Sequence, residues 1–118
     1  MPMSGSLKSI VLVSFLVFAL GCSGRKNLYD WGSYDASIAA MYSDPAKYIL
    51  DEDIERLDRE IEKTEPSRIP PGKAAHVGLL YSLKGMNSDA SRYFEMEKQN
   101  FPDSKVLMDR LISRTRSK

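Results

Sequence analysis

Read from its N-terminus, the chain opens with an apolar run and then breaks into short, spaced stripes. Residues 10–20 are apolar except for Ser14. From Tyr34 onward the apolar positions are separated instead. Tyr34, Ile38, Met41 and Tyr42 have helical spacing, which predicts a helix over 34–42. Asp44-Pro45 is expected to end that helix and open the next, because aspartate caps free amides and proline at the first helical position forfeits no hydrogen bond. Leu50, Ile54, Leu57 and Ile61 then form one apolar stripe on a helix reaching about residue 63. Pro66, Pro70, Pro71 and Gly72 break the pattern. A third helix is predicted over 73–84, with Gly85 as its C-terminal cap. Asn87-Ser88-Asp89 offers N-capping side chains to a fourth, which buries Ala90, Tyr93, Phe94 and Phe101 and stops at Pro102. Asp103 or Ser104 caps a last helix with Val106, Leu107, Leu111 and Ile112 on its apolar side. No stretch alternates apolar and polar residues as a strand does, so the expected fold class is all-α, with four to five helices after the apolar run.

The apolar run assigns a destination to the rest of the chain. Lys8 is the only charged side chain before it, and it ends at Gly21-Cys22. A charged start, roughly 7–15 apolar residues and a small-residue exit describe a secretory signal, whereas a spanning helix needs roughly 20. Cys22 is the only cysteine. In an oxidising compartment cysteines usually come in pairs, so a single one is either a free thiol, half of an intermolecular disulfide, or modified. The segment Phe18-Ala-Leu-Gly-Cys22 resembles a bacterial lipobox. That resemblance implies removal of residues 1–21 as a lipoprotein signal peptide, lipidation of Cys22, a linker over 22–27 and a helical domain over 28–118. Several acyl chains, at about 0.8 kcal/mol per buried methylene, then tether the protein to a membrane. Ser23 follows the cysteine, where lipoproteins retained in the inner membrane usually carry aspartate. The resemblance therefore implies the outer membrane, with the domain facing the periplasm. At about 3.3 Å per residue the five residues 23–27 reach at most about 17 Å. Tyr29, Trp31 and Tyr34 thus begin close to the membrane and either sit at headgroup level or cover the first helix pair.

Charge narrows the choice of partner. The chain has 17 basic and 16 acidic side chains. No global field steers it to nucleic acid. Asp51-Glu-Asp53 reads as a solvated helix face, with Glu52–Arg56 and Glu55–Arg59 in the favourable acid-first spacing. Nothing nearby completes a metal site, and His76 is the only histidine, so no metal or other cofactor is expected. A Ser-His-Asp set stays open, since its members need not be adjacent in sequence. No nucleophile-elbow pattern surrounds a serine and no phosphate-cradling glycine motif occurs, so no catalytic residue and no small-molecule substrate is indicated. His76 itself reads as a packed or rim side chain. Glu97 lies on an otherwise apolar face, either partly buried beside a base or marking the edge of that face. Arg110, Arg114, Arg116 and Lys118 suit a helix C-terminus, with an anionic lipid surface as the second reading.

A longer spacing runs through the second half. Gly78 is followed by Tyr81, Gly85, Ala90, Phe94 and Pro102 in a series that resembles a tetratricopeptide repeat over residues 71–104. Gly78 and Ala90 would let two helices approach, and Tyr81 and Phe94 would lock them. Ala74, Val77 and Glu97 depart from the repeat's usual residues, so flanking helices must supply the missing cover. Taken whole, Leu28-Tyr-Asp-Trp-Gly-Ser-Tyr34, Pro70-Pro-Gly72, Ala75-His-Val-Gly78 with Tyr81, and Glu97-Lys98 with Phe101-Pro-Asp-Ser104 resemble a family of small bacterial lipoproteins of unknown function. Members are often encoded beside a lipoprotein similar to the curli secretion channel and a third lipoprotein. The resemblance implies a non-catalytic adaptor or accessory subunit of an envelope assembly, and it carries over no catalytic residue. A pilotin-like escort of an outer-membrane subunit is the alternative, and a small envelope hydrolase a third. By the same resemblance the first helix of the repeat lines a concave surface, which makes Ala75, Leu79, Ser82 and Leu83 the candidate partner-binding residues. Leu79 and Leu83 would otherwise be core, covered by the Leu50–Ile61 stripe.

Overall fold

The apolar run folds as α1, Ser4–Leu20. The computed structural model describes residues 4–20 and 27–117; Cys22, the expected lipidation site, lies outside the described residues. No helix among the described residues is long and apolar enough to cross a membrane. Five further helices follow: α2 (Tyr34–Ser43), α3 (Leu50–Lys63), α4 (Lys73–Leu83), α5 (Asn87–Asn100) and α6 (Lys105–Arg116). Single 3-10 turns at Pro66–Arg68 and Pro102–Ser104 precede α4 and α6. Among the described residues there is no strand, and the protein is all-α.

The core is shared by four helices. Ile54, Leu57 and Ile61 from α3 meet Ala74, Val77, Leu80 and Tyr81 from α4, Ala90, Tyr93 and Phe94 from α5, and Met108 and Ile112 from α6. Each large aliphatic buried this way contributes about 1.5–3 kcal/mol. α4 packs against both α3 and α5, and α5 against both α4 and α6. The α4–α5 hairpin closes tightly because Gly85 takes φ +74°, a left-handed conformation that side chains disfavour. The Gly85 amide then donates to Ser82 and the Met86 amide to Tyr81, both at 3.0 Å. This paired arrangement satisfies carbonyls that the end of α4 would leave open. With so short a turn α5 runs antiparallel to α4, and α6 returns in the direction of α4.

Several local expectations are corrected. Asp44-Pro45 ends α2 but does not open α3. Residues 45–47 form a turn in which the Lys47 amide donates to the Asp44 carbonyl at 3.0 Å, and the Asp44 carboxylate pairs with Lys47. α3 starts at Leu50 with no side-chain cap, its first turn balanced by Asp51, Glu52 and Asp53. Asn87-Ser88-Asp89 does not cap α5 either: Met86 is the capping residue, because the Gly85 closure delivers its backbone directly into the helix. On α6 the inward face is Met108, Ile112 and Thr115, with Leu111 beside them, and Val106 and Leu107 are exposed. The 3-10 turn at Pro102–Ser104 sets that rotation, and Ser104 spends its hydroxyl on the Phe101 carbonyl rather than as a cap. Thr115 tolerates burial because its hydroxyl bonds the Ile112 carbonyl and Ser91, each at 2.7 Å. On α2, Tyr42 is exposed and the fully buried residue is Ser37.

Candidate functional site

Five helices of this size leave little room for buried charge, yet a continuous polar network runs beneath α2. Lys73, on the first turn of α4, is only 1% exposed. Its Nζ donates to Glu60 Oε2 at 2.8 Å and to the Trp31 carbonyl at 3.3 Å. Glu60 also accepts the Ser33 amide at 3.1 Å and the Ser33 hydroxyl at 2.6 Å. Burial works to raise the Glu60 carboxyl, but the hydrogen bonds from Lys73 and Ser33 overcome it and hold the group below its ordinary range. Arg56 Nε donates to Ser33 Oγ at 2.9 Å, and its terminal nitrogen pairs with Asp53. Asp53 in turn accepts the Tyr48 hydroxyl at 2.6 Å and the Ser37 hydroxyl. Ser37 Oγ lies 2.9 Å from His76 Nε2. The chain of contacts joins the 28–34 segment, α2, α3 and α4.

This is a correction to the solvated-face reading of Asp51-Glu-Asp53, because Asp53 is 4% exposed and holds three partners. Arg56 accordingly pairs with Asp53 rather than Glu52, while Glu55–Arg59 forms as expected at 3.8 Å. Serine, histidine and aspartate do converge, in the order His76–Ser37–Asp53. A hydrolase places the imidazole between the other two, so that it can take the serine proton. Here Ser37 gives its one proton to Asp53 and must accept from the Nε2–H of His76. Ser37 is also fully buried, so no scissile carbonyl reaches its oxygen. Burial pushes the His76 imidazole down, with Asp53 partly opposing, which keeps the ring neutral at pH 7. Burial and then the bond to Asp53 raise the Tyr48 phenol. The arrangement fixes helices to one another.

Glu97 is neither beside a base nor at an edge. It is buried, and its carboxylate accepts the Gly72 amide at 2.8 Å and the Ala75 amide at 3.3 Å. α5 thereby caps the N-terminus of α4, where free amides and the helix dipole favour an anion. Glu97→Ala is expected to cost about 1–3 kcal/mol, the penalty of leaving buried donors unsatisfied. Glu97→Gln, which keeps an acceptor, should cost less. Thermal melts of the two variants check this, and equal losses would mean that packing, not capping, is what the residue supplies.

The aromatic residues of the 28–34 segment pack on one another and on the domain, with Trp31 still 41% exposed. Trp31 stacks on Tyr34 with centroids 6.1 Å apart, Tyr34 leans on His76 at 5.6 Å, and Tyr29 meets Phe101 at 6.2 Å. Through Tyr34 on His76 and Tyr29 on Phe101 they reach the two ends of the α4–α5 pair that lie together. The expected partner-binding residues lie further along α4: Leu83, seven residues after His76, shares its face, and Leu79 lies beside it. Leu79 and Leu83 are 44% and 62% exposed, so the α3 stripe does not cover them; Ser82 and Ala75 are half-buried. Leu79 and Ser82 line a groove of about 370 Å³ with Phe94 from α5 and Leu111, Arg114 and Thr115 from α6. Among the described residues no group of three or more His, Cys, Asp or Glu side chains is arranged to hold a metal ion.

The model of one family, a domain of unknown function designated DUF4810, matches residues 28–111. The chain belongs to the DUF4810 family. Comparison with curated proteins and with solved structures finds no match. The matched span of the DUF4810 domain holds the whole polar network and most of the groove, leaving out only the end of α6. Lys73, Glu60, Ser33 and Ser37 were not singled out from sequence. One signal was available: Lys73 directly follows Pro70-Pro-Gly72, where a first-turn lysine opposes the helix dipole and so needs an acidic partner from elsewhere in the DUF4810 domain.

Proposed function

We propose that the protein is a lipid-anchored, non-catalytic adaptor that holds a protein partner at the outer membrane on its periplasmic side. The observation that carries this reading is the pair Leu79 and Leu83, one helical turn apart on α4 and left outside the core of a small domain. Apolar side chains that a small fold leaves uncovered on a groove wall are explained by a contact surface. The close approach of α4 and α5 at Gly78, the Gly85 turn and the returning α6 support a tetratricopeptide-like unit, in which α4 and α6 flank one concave side. The lipobox-like Phe18–Cys22 segment supports the anchor, and the resemblance noted above favours an assembly containing a curli-secretion-channel-like lipoprotein. Leu79→Glu and Leu83→Glu are expected to leave thermal melts nearly unchanged, because both side chains are exposed, and to abolish co-purification of the partner from envelopes. Retained co-purification would overturn the assignment of this face. Cys22→Ser is expected to abolish incorporation of labelled palmitate; label still entering that variant would sink the lipoprotein reading.

A further inference from the structure

The groove between α4 and α6 has a chemistry of its own. Its floor is Phe94 and its apolar walls are Leu79 and Leu111. On α6, Leu107, Arg110, Leu111 and Arg114 recur at the spacing of one helix face, with Leu107 and Arg110 exposed and Arg114 at the groove wall. Neither Arg110 nor Arg114 takes part in an ion pair among the described residues, and no acidic side chain among them lines the groove. α4 contains no acidic residue. The only acid on α6, Asp109, faces away and is held by Lys98 at 2.8 Å and Lys105 at 2.5 Å. Glu97 is occupied in capping α4.

Resting on the adaptor reading, we infer that this groove receives an amphipathic helix of a protein partner, with apolar residues four apart and acidic side chains beside them. Both walls are helices whose backbone groups are already paired, so an extended segment would bring its own N–H and C=O groups against leucine with nothing to bond. A helix carries its hydrogen bonds internally and repeats its apolar side chains at about 6 Å, matching Leu79 and Leu83. Carboxylates along its flank meet Arg110 and Arg114, and arginine pairs carboxylates in forked geometry. A lipid surface fits less well, because Leu79 and Leu111 line a concavity that a bilayer does not enter. A second copy of this chain fits less well too. Its acidic amphipathic helix, α3, has Ile54, Leu57 and Ile61 buried in its own core.

The test is photo-cross-linking of the full chain in intact cells, with benzoylphenylalanine replacing Leu79 or Leu83, and Tyr42 or Glu55 as remote positions. Mass spectrometry identifies the captured segment. The expected product from Leu79 and Leu83 is one partner segment with apolar residues four apart and flanking Asp or Glu. Arg110→Glu combined with Arg114→Glu should lower its yield at least about tenfold with melting unchanged. Reversing the acidic residues of the captured segment should restore it. Capture of lipid, of a second copy, or of a segment without acids overturns the inference, as does a yield indifferent to charge reversal. Capture of a protein only from Tyr42 or Glu55 overturns the groove and leaves the adaptor reading standing. No protein captured from any of the four positions removes both.

Discussion

Gly78→Leu is expected to lower the melting temperature by roughly 10 °C or more. A Cβ built at Gly78 lies 2.6 and 2.7 Å from Phe94 ring carbons and 3.1 Å from the Ala90 carbonyl oxygen. The ring cannot swing aside, because Phe94 is fully buried between α4 and α6. The carbonyl is backbone inside α5 and moves only with the helix. A bulky side chain therefore separates α4 from α5, at a cost of about 1–3 kcal/mol for overpacking and more if the hairpin opens. In a domain of this size each kcal/mol shifts the midpoint by about 4–8 °C. Gly78→Ala separates the two influences on the position. Helix propensity alone favours alanine by about 1 kcal/mol, so a destabilised alanine variant isolates the contact. Circular dichroism melts decide it. An alanine variant that melts higher would mean that the helices do not approach at Gly78.

The same contact shows which parts of the fold the sequence announces. Leu50, Ile54, Leu57 and Ile61 lie on one stripe and enter one core, and Gly78, Gly85, Ala90 and Phe94 sit where a tight hairpin needs them. These signals are local: spacing along one helix, or a turn residue between two. The misreadings arise where partners are distant. Asp53 resembles its neighbours Asp51 and Glu52 in every local respect. What distinguishes it is that Ser37, from α2, and Tyr48 lie over it. Lys73 draws no notice in the sequence, and Glu97 is expected beside a base or at the edge of its face, because their actual partners come from 13 and 22–25 residues away. On α6 the apolar residues alone give two candidate faces. Thr115, a polar residue, marks the buried one only through its bonds to Ser91 and Ile112. The exposure of the candidate binding face was legible for the opposite reason: Leu79 and Leu83 fall off the inward stripe of α4, and among the described residues nothing covers them. The contribution of α6 to that face depends on how the chain turns at Pro102–Ser104, which spacing does not encode.

Asp53→Ala should destabilise the domain by about 2–4 kcal/mol, and the accompanying change at His76 distinguishes the network from simple packing. Removing the carboxylate leaves the fully buried Ser37 hydroxyl without its acceptor and strips Tyr48 of its partner. Unsatisfied buried donors cost about 1–3 kcal/mol each, and breaking a fully buried ion pair costs about 3–5. Arg56 is half exposed and recovers water, so the loss of that pair contributes at the low end. Asp53→Asn keeps an acceptor and should fall between the variant and the parent. The second readout is the titration of the single imidazole, followed by NMR. Burial lowers the His76 pKa in the parent and Asp53 works against that shift, so removing the negative charge should move the midpoint further down. The sign carries through to stability. A histidine with a lowered folded-state pKa binds fewer protons folded than unfolded, so stability falls as pH drops through the unfolded value of about 6.5. In Asp53→Asn that acid-side loss should steepen. A His76 midpoint unmoved by the substitution would mean that Asp53 does not act on the imidazole through Ser37's site, and the network would reduce to two independent halves.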